Sequence, residues 1–293
     1  MAAQPARPAG PPRAEVESRP APLHTLIRPR RGWVAIDWGE LWRQRELLYF
    51  LVWRDVKVRY KQTVLGAAWA VIQPLFAMLV FTLIFGQFAK IPSEGQPYAV
   101  FVYAGLLPWT FFQNAVTNGG QSLINQQHLL TKVYLPRLFV PAASVGGGLV
   151  DLAISFGVYA VILLAYWQAP SWQVVFLPGL LLLTVLAALG LSFVLAALTV
   201  AYRDFRYVVP FLMQAMMYIS PVVYPVELIP AKYQWLLGLN PMAGIIDGYR
   251  VAILGGREWN LTVLGASALT TLVLFVMGLF YFRRTERRFA DIA

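Results

Sequence analysis

The 293-residue sequence contains no cysteine and only two histidines, His24 and His128. The missing thiols exclude disulfide bonds, iron–sulfur clusters, thiolate zinc sites and cysteine nucleophiles. Two histidines far apart in the chain argue against a histidine-rich metal site, and we predict no metal or cofactor in this chain. The sequence also lacks the Gly-x4-Gly-Lys-Ser/Thr pattern of a P-loop, the Gly-x-Ser-x-Gly elbow and the His-Glu-x-x-His pair. No familiar catalytic motif is therefore present.

Charged residues are scarce as well: they make up 13% of the chain, whereas 58% of it is hydrophobic. Soluble domains carry about 25% charged and roughly 45–50% apolar residues, so this composition predicts a membrane protein. The charges are unbalanced, with 24 Lys and Arg against 14 Asp and Glu and a net charge of +10. Such an excess is typical of nucleic-acid binding, but basic cytoplasmic loops of a membrane protein produce it too.

Long apolar runs are plentiful. A helix needs roughly 20 mainly apolar residues to cross the hydrocarbon core of a membrane. Six stretches meet this requirement: residues 64–86, 99–117, 138–166, 173–200, 207–224 and 261–282. We therefore predict an all-α polytopic membrane protein with six transmembrane helices, which puts both termini on the same side.

Basic residues mark one side of this predicted membrane domain. They cluster before the first span, after the second and fourth spans and after the sixth, whereas the opposite loops contain only Lys90, Lys232, Arg250 and Arg257. By the positive-inside rule, both termini are cytoplasmic. The excess of basic residues then indicates topology rather than nucleic-acid binding.

Two regions precede the first span. Residues 1–32 are rich in proline and arginine and lack the apolar run of a signal peptide, so we predict a disordered basic cytoplasmic tail. Residues 33–63 form an interface-helix region, which would be either a simple anchor or a moving gate. The membrane domain covers 64–282, and 283–293 form a cytoplasmic tail. An amphipathic helix in 33–63 is predicted from helical spacing of Tyr49, Val52, Trp53, Val56 and Tyr60.

Two connections are long enough to contain helices of their own. In the polar segment 118–137, on the basic side, we predict one short helix that begins after Gly119–Gly120 and ends before Pro136. That segment is a candidate docking site for a soluble partner. On the opposite side, 226–260 alternates turn signals with short apolar pieces, and Asn240–Pro241 is a typical helix start. We predict re-entrant or interfacial helices there.

Asp151 is the only charged residue within the predicted spans. An acid inside a membrane is a candidate functional residue by default, although pairing with a neighbouring helix explains it equally well. Aromatic residues are abundant, and many lie where Trp and Tyr anchor a helix at the interface. Six others lie in or near the ends of spans, where their faces would suit sugar rings that slide through a conduit: Trp69, Phe76, Tyr103, Trp109, Phe112 and Tyr218.

Three segments resemble the permeases of ABC-type polysaccharide exporters, a family that exports O-antigen, capsule and teichoic-acid polymers. RDVKVRYKQTVLGAAWAVIQPL, at 54–75, is similar to the family's approach to the first span, and YRDFRYVVPFLMQAMMYISPVVYP, at 202–225, to its fourth loop and fifth span. LNPMAGIIDGYR, at 239–250, resembles the Asn-Pro segment in the version found in O-antigen exporters. The resemblance runs from about residue 40 to the C-terminus and leaves the proline-rich tail outside.

The resemblance implies a permease subunit of the bacterial inner membrane that forms a homodimer with two separate ATPase subunits, which bind ATP and Mg²⁺. It implies that an undecaprenyl-diphosphate-linked polymer enters near the cytoplasmic interface, where cations suit a lipid diphosphate. The candidate diphosphate contacts are Arg54, Lys57, Arg59 and Lys61, although positive-inside topology alone would also place them there. The candidate ATPase-coupling residues are Leu123, Asn125, Gln127, His128 and Lys132.

Several functions stay open at this point. Export of O-antigen is the leading one, with capsular polysaccharide or teichoic acid as alternative polymers. A polytopic enzyme that acts on lipid-linked sugars would need grouped acids or a metal, but Asp247 and Glu258 on one side, or Asp55 and Asp204 on the other, are too scattered to assign. A passive channel is disfavoured because no filter-like segment is present. The identity of the polymer and the aromatics that face it do not follow from the sequence.

Overall fold

The computed structural model describes residues 38–61, 68–128 and 135–286. Within these ranges every regular element is helical, which confirms the all-α prediction for this part of the chain. The described residues all belong to one compact unit. The predicted tail at 1–32 and the final residues, 287–293, lie outside the described residues.

Among the residues that the structure describes, five helices are long and apolar enough to cross a membrane. They are α3 (Ala68–Phe81, extended by π-helical turns over Thr82–Phe88), α4 (Tyr98–Asn125), α5 (Phe139–Ala165), α6 (Leu177–Ala201, preceded by a 3-10 turn at Trp172–Phe176) and α10 (Leu261–Glu286). These helices agree with five of the six predicted spans.

The fifth predicted span, 207–224, forms a shorter helix, α7 (Phe205–Ile219). Its 15 residues extend over about 22 Å, which is less than the thickness of the hydrocarbon core. Within α7 only Val209 and Met213 are buried. The count of six transmembrane helices therefore stays a prediction.

The interface-helix region contains two helices, α1 (Trp38–Arg43) and α2 (Arg45–Lys61), separated at Gln44. One face of α2 packs against α5: Leu51 is buried, and Val52 contacts the helix at Gly146, where an added Cβ would lie 2.9 Å from a Val52 methyl group.

The predicted apolar stripe of α2 is only partly correct, because two of its aromatic members, Tyr49 and Trp53, are exposed, as is their neighbour Phe50. The third aromatic member, Tyr60, bonds to Asp151 of α5. The helix thus carries apolar side chains on two faces, one packed on the bundle and one open, whereas the spacing alone suggested one face.

Helix α4 is the centre of the bundle. It packs against α3, α5 and α6 and buries most of its side chains. Helices α6 and α10 cross closely at Gly190 and Gly278, where a Cβ on either glycine would collide with the backbone of the other helix. Small residues at such crossings let membrane helices approach and gain van der Waals contact.

The two ends of α4 define two ends of the bundle. At its start, the carbonyl of Phe101 accepts a hydrogen bond from Arg250 of α9 (Pro241–Leu254). At its finish, Gln126 Oε1 accepts a 2.7 Å hydrogen bond from Arg54 of α2. We call these the α9 end and the α2 end.

The α9 end contains a 3-10 turn at Val226–Leu228, α8 (Ala231–Leu237) and α9. The side chain of Asn240 caps α9 by accepting a 3.0 Å hydrogen bond from the Met242 N–H. It also donates to Ser220 Oγ at 2.8 Å. The predicted helix start at Asn240–Pro241 is thereby confirmed, and every residue from 241 to 253 is buried. Re-entry of these helices into a membrane stays a prediction.

The predicted helix start after Gly119–Gly120 is wrong, because α4 continues through both glycines to Asn125. Both residues face neighbouring side chains: a Cβ on Gly119 would lie 2.8 Å from Ser192 Cβ, and one on Gly120 would lie 3.1 Å from Leu195 Cβ. These glycines allow α6 to approach and do not break the helix. Residues 129–134 of the predicted segment are outside the described ranges.

Candidate functional site

A cavity of about 540 Å³ lies towards the α2 end between α2, α3, α4 and α5. Apolar and aromatic side chains make up much of its lining, including Trp69 of α3 and Trp109 of α4. We call it the main cavity. Pockets of this size with a few convergent polar groups are typical ligand sites.

An ion pair lies at the boundary of the main cavity. Arg59 Nη1 donates to Asp151 Oδ2, and the hydroxyl of Tyr60 donates to Asp151 Oδ1. The Arg59 and Asp151 side chains are 32% and 24% exposed. Burial, followed by the hydrogen bond to Asp151, raises the pKa of Tyr60 above its ordinary value, so the hydroxyl keeps its proton at neutral pH. Asp151 is thus paired with a neighbouring helix, one of the two alternatives that the sequence allowed.

A polar wall of α4 faces the main cavity. It presents neutral hydrogen-bonding groups at helical spacing, namely Thr110, Gln113, Asn114 and Asn118. Gln113 Oε1 accepts a 2.9 Å hydrogen bond from the indole N–H of Trp109, which fixes the ring beside the amides. Neutral amides and hydroxyls next to aromatic faces suit the hydroxyls and C–H faces of sugars without forming a deep ionic well.

Sequence reasoning missed this amide wall. Its signal was present, since Thr110, Asn114 and Asn118 recur every four residues and therefore share one helix face. The aromatic residues of the same span were predicted to line the conduit instead. A polar stripe inside an apolar span is the pattern that would have identified it.

A second cavity, of about 490 Å³, continues from the first towards the α2 end. Arg59 and Asn118 line both cavities. Arg54 lines the second one, where its guanidinium contacts Asp55 at 2.7 Å and Gln126 at 2.7 Å. The two cavities therefore form a polar path that begins near Arg54 and leads past Arg59.

The four predicted diphosphate contacts separate into two pairs. Arg54 and Arg59 line the cavities. Lys57 and Lys61 are exposed and line neither cavity, and the Lys57 ammonium lies 5.8 Å from the ring centre of Trp53. Only the arginines are placed for a ligand inside the cavities.

The six predicted conduit aromatics fall into three groups. Trp69 and Trp109 line the main cavity. Phe76 and Tyr218 are exposed, at 66% and 59%, and line neither cavity. Tyr103 and Phe112 are fully buried, and Tyr103 stacks on Tyr159 with ring centres 5.3 Å apart. The structure thus gives Tyr103 and Phe112 packing positions inside the bundle.

The predicted coupling residues lie at the end of α4, except for Lys132, which is outside the described residues. Leu123 is buried. Asn125, Gln127 and His128 are exposed. These three exposed polar side chains, with the buried Leu123 nearby, form a surface that suits contact with a soluble protein.

The α9 end holds a different ionic group. Arg257, in the loop after α9, forms ion pairs with Glu94 at 3.1 Å and with Glu227 and Asp247. Asp247 is almost fully buried. Burial raises the pKa of Glu94 to about 7, although Arg257 opposes this shift. The acids here are more clustered than the sequence suggested, but each of them faces a guanidinium.

Arg250, beside this group, is fully buried. Its guanidinium donates to the carbonyls of Val222 at 2.6 Å and Tyr224 at 3.1 Å, and it lies 3.7 Å from the ring centre of Phe101. These contacts join α9, the segment after α7 and the start of α4. Within the described ranges, no group of three or more His, Asp and Glu side chains is placed to bind a metal ion.

Known proteins are similar to this chain over most of its length. The family model described as "ABC-2 type transporter" matches residues 46–254. An "O-antigen export system permease protein RfbA" from Myxococcus xanthus is 32% identical over 86% of this chain and 97% of its own length. A protein of the same name from Klebsiella pneumoniae is 29% identical over 84% of the chain and 95% of its length. A "Polysialic acid transport protein KpsM" from Escherichia coli is 25% identical over 83% of the chain and 95% of its length.

Proposed function

The chain belongs to the ABC-2 type transporter family, and from this premise we propose that it is the membrane permease subunit of an ATP-driven exporter of undecaprenyl-diphosphate-linked polysaccharide. O-antigen is the polymer we propose first, since the relative with 32% identity carries that activity in its name and aligns over nearly its whole length. As a family member the chain is a transporter membrane subunit and not an enzyme.

The observation that carries the proposal is the polar path at the α2 end. Arg54 and Arg59 offer guanidinium groups that match phosphate oxygens in charge and geometry. Beyond them, the amides of α4 and the rings of Trp69 and Trp109 offer weak, neutral contacts for sugars. A lipid diphosphate would therefore be held at one place while the glycan moves along the path.

We propose that the α2 end is cytoplasmic and that both termini lie on that side of the inner membrane. The basic residues of α2 and of the end of α10 support this orientation by the positive-inside rule. The exposed side chains of Asn125, Gln127 and His128 would then contact the ATPase. The ATPase would bind ATP and Mg²⁺, because this chain has no P-loop. We assign Leu123 a supporting position under that surface, and Lys132 stays a predicted contact.

A second copy of the chain is the expected partner within the membrane. Helices α3 and α7 leave large apolar side chains exposed, including Phe76, Tyr207, Phe211 and Tyr218. A homodimer that covers these faces would place two main cavities side by side. The polar paths of the two protomers would then together form the conduit for the glycan.

Capsular polysaccharide is the second candidate polymer. The match to KpsM, at 25% identity over most of both chains, favours it over other polymers. The two candidates separate by complementation: this chain, expressed with its ATPase, should restore surface O-antigen in a strain that lacks an O-antigen permease. If the chain restores only capsule, capsular polysaccharide becomes the first candidate polymer and O-antigen the second.

Export itself is tested by deleting the chain from its own cells. We expect surface polysaccharide to disappear and lipid-linked polymer to accumulate on the cytoplasmic leaflet, while the ATPase is still made. Purification of the chain should also recover the ATPase subunit. Unchanged surface polymer, or chemical conversion of a lipid-linked glycan by the purified chain alone, would contradict the proposal.

A further inference from the structure

The Asp151 carboxylate lies where an anionic group of a bound ligand would also bind. Its two carboxylate oxygens accept from two different donors on consecutive residues of α2, the Arg59 guanidinium and the Tyr60 hydroxyl. A guanidinium beside a hydroxyl is a general oxyanion site, equally suited to carboxylate and phosphate oxygens. The chain thus holds an oxyanion site that contains one of its own side chains.

The pair is accessible from the main cavity. Arg59, Tyr60 and Asp151 all line that cavity, and both charged side chains are partly exposed. Partly exposed ion pairs are held weakly, because water and salt screen them. A ligand can therefore reach the donors without any opening of the apolar core.

The side chains of Asp151 and Arg59 differ in conformational freedom. Asp151 has a short side chain on a transmembrane helix, and its backbone carbonyl accepts a 2.9 Å hydrogen bond from Ser155 Oγ. Arg59 has a long, flexible side chain that borders both cavities. Exchange of partners would therefore proceed by movement of Arg59 and Tyr60 away from α5, while Asp151 stays in place.

We propose that Asp151 is a built-in competitor for the lipid diphosphate, and that it sets a threshold which a diphosphate exceeds and a single phosphate does not. The inference rests on the proposed function. A diphosphate brings more negative charge and more acceptor oxygens than a carboxylate, whereas a headgroup with one phosphate brings little advantage. Because displacement of Asp151 costs every anion the same free energy, Asp151 lowers all anion affinities by one factor, and only an anion with high intrinsic affinity, such as a diphosphate, still occupies the site.

Displacement also has a mechanical consequence. The bonds from Arg59 and Tyr60 connect the last turn of α2 to α5, and both are lost when an anion replaces Asp151. The earlier part of α2 keeps its own contacts, with Leu51 buried and Arg54 bonded to Gln126. Arrival of substrate therefore releases only the end of α2 that precedes the first span.

The test measures binding of farnesyl diphosphate and farnesyl monophosphate to the full chain in phosphatidylcholine nanodiscs. For Asp151→Asn, we expect the affinities for monophosphate and for diphosphate both to rise by about the same factor, roughly five- to tenfold, because the competitor weakens every anion at this site equally. Asp151→Glu keeps the charge and is the matched control, with both affinities close to those of the unmodified protein.

Unchanged affinities for both ligands in a well-folded Asp151→Asn protein overturn the competitor role. If Arg59→Gln also leaves diphosphate binding unchanged, the proposed diphosphate site itself fails. If Arg59→Gln abolishes binding while Asp151→Asn leaves both affinities unchanged, only the role of Asp151 fails.

A second measurement leaves the three residues of the site unaltered, in case Asp151→Asn does not fold. The chain has no cysteine, so Val58→Cys, exposed beside Arg59, accepts a single spin label. Farnesyl diphosphate should change the mobility of this label, whereas a label at Tyr49→Cys, about two and a half turns earlier in α2, should not respond. A Val58 label with the same spectrum before and after saturation with diphosphate contradicts displacement.

Discussion

The two ends of the bundle hold their charges in different ways. At the α9 end, Arg250 is fully buried against three backbone carbonyls, and Arg257 is surrounded by three carboxylates. At the α2 end, Arg59 is partly exposed, has a carboxylate partner in Asp151 and borders two cavities. Saturated, buried ions fix helices to one another, whereas a partly exposed ion pair beside a cavity can exchange its partner.

The difference assigns separate roles to groups that look alike in the sequence. Both ends have arginines and acids, and both lie near predicted membrane interfaces. What separates them is the number of partners that each charge has and whether a cavity reaches it. We therefore expect substitutions at the α9 end to alter stability and substitutions at the α2 end to alter ligand binding and export.

The largest expected effect is that of Arg250→Met. The substitution leaves the carbonyls of Val222 and Tyr224 without their donor inside the protein, which should cost about 3 kcal/mol or more in folding free energy. Thermal denaturation of the purified protein and its yield in the membrane measure this loss. Lys232→Met, an exposed cation at the same end, is the matched control and should change little. Equal stability of the two variants would remove the structural role of Arg250.

Next in size is the effect of Arg59→Gln on export. Loss of the guanidinium should lower the export rate about tenfold or more, because a charge-assisted contact to the diphosphate disappears. Folding stability should change by only about 1 kcal/mol, since the ion pair is partly exposed. Lys57→Gln removes a charge from the same helix outside both cavities and should export normally. An equal loss in both variants would point to general surface charge.

Trp69→Ala should have a smaller effect that is confined to the glycan. Trp69 is half-exposed and lines the main cavity, so its removal takes away a stacking face with little loss of packing. We expect polymer export to slow roughly threefold to tenfold while binding of farnesyl diphosphate stays the same. Trp42→Ala, an exposed tryptophan in α1, controls for the loss of an interfacial aromatic. Reduced binding of farnesyl diphosphate in Trp69→Ala would place the residue at the headgroup.

The smallest effect is a dependence of stability on pH at the α9 end. The pKa of Glu94 is about 7 in the folded protein, above its ordinary value, so the folded state holds a proton that the unfolded chain has released. This contribution is complete below the unfolded pKa and is lost as pH rises through about 7. We expect Tm to fall by roughly 1–3 °C between pH 5 and pH 8. Glu94→Gln should remove that slope, and Glu258→Gln, exposed nearby, should retain it.

Helix type and the position of most spans could be predicted from the sequence because a membrane demands long apolar runs, which are visible locally. The Asn240–Pro241 helix start could also be predicted, because a helix cap depends on residues that are adjacent in the sequence. The continuation of α4 through Gly119–Gly120 could not, because the role of a glycine depends on the neighbouring helix, here at Ser192 and Leu195.

The candidate site was predictable only in part. Arg59 was named as a ligand contact and Asp151 as an intramembrane acid, but nothing local indicates that residues 92 positions apart form one pair. The conduit aromatics were predicted without knowledge of helix rotation, so Trp69 and Trp109 share a cavity with the amide wall while Tyr103 is inside the core. Rotation depends on packing between helices, which composition and spacing do not specify.

The most direct test of the account compares two arginines that both pair with acids, one at each end of the bundle. Binding of farnesyl diphosphate to the full chain in nanodiscs should weaken about tenfold or more in Arg59→Gln. In Arg257→Gln the affinity should stay within about twofold of the unmodified protein, although Tm should fall. Equal losses of affinity in the two variants, or a larger loss in Arg257→Gln, would contradict the assignment of ligand binding to the α2 end.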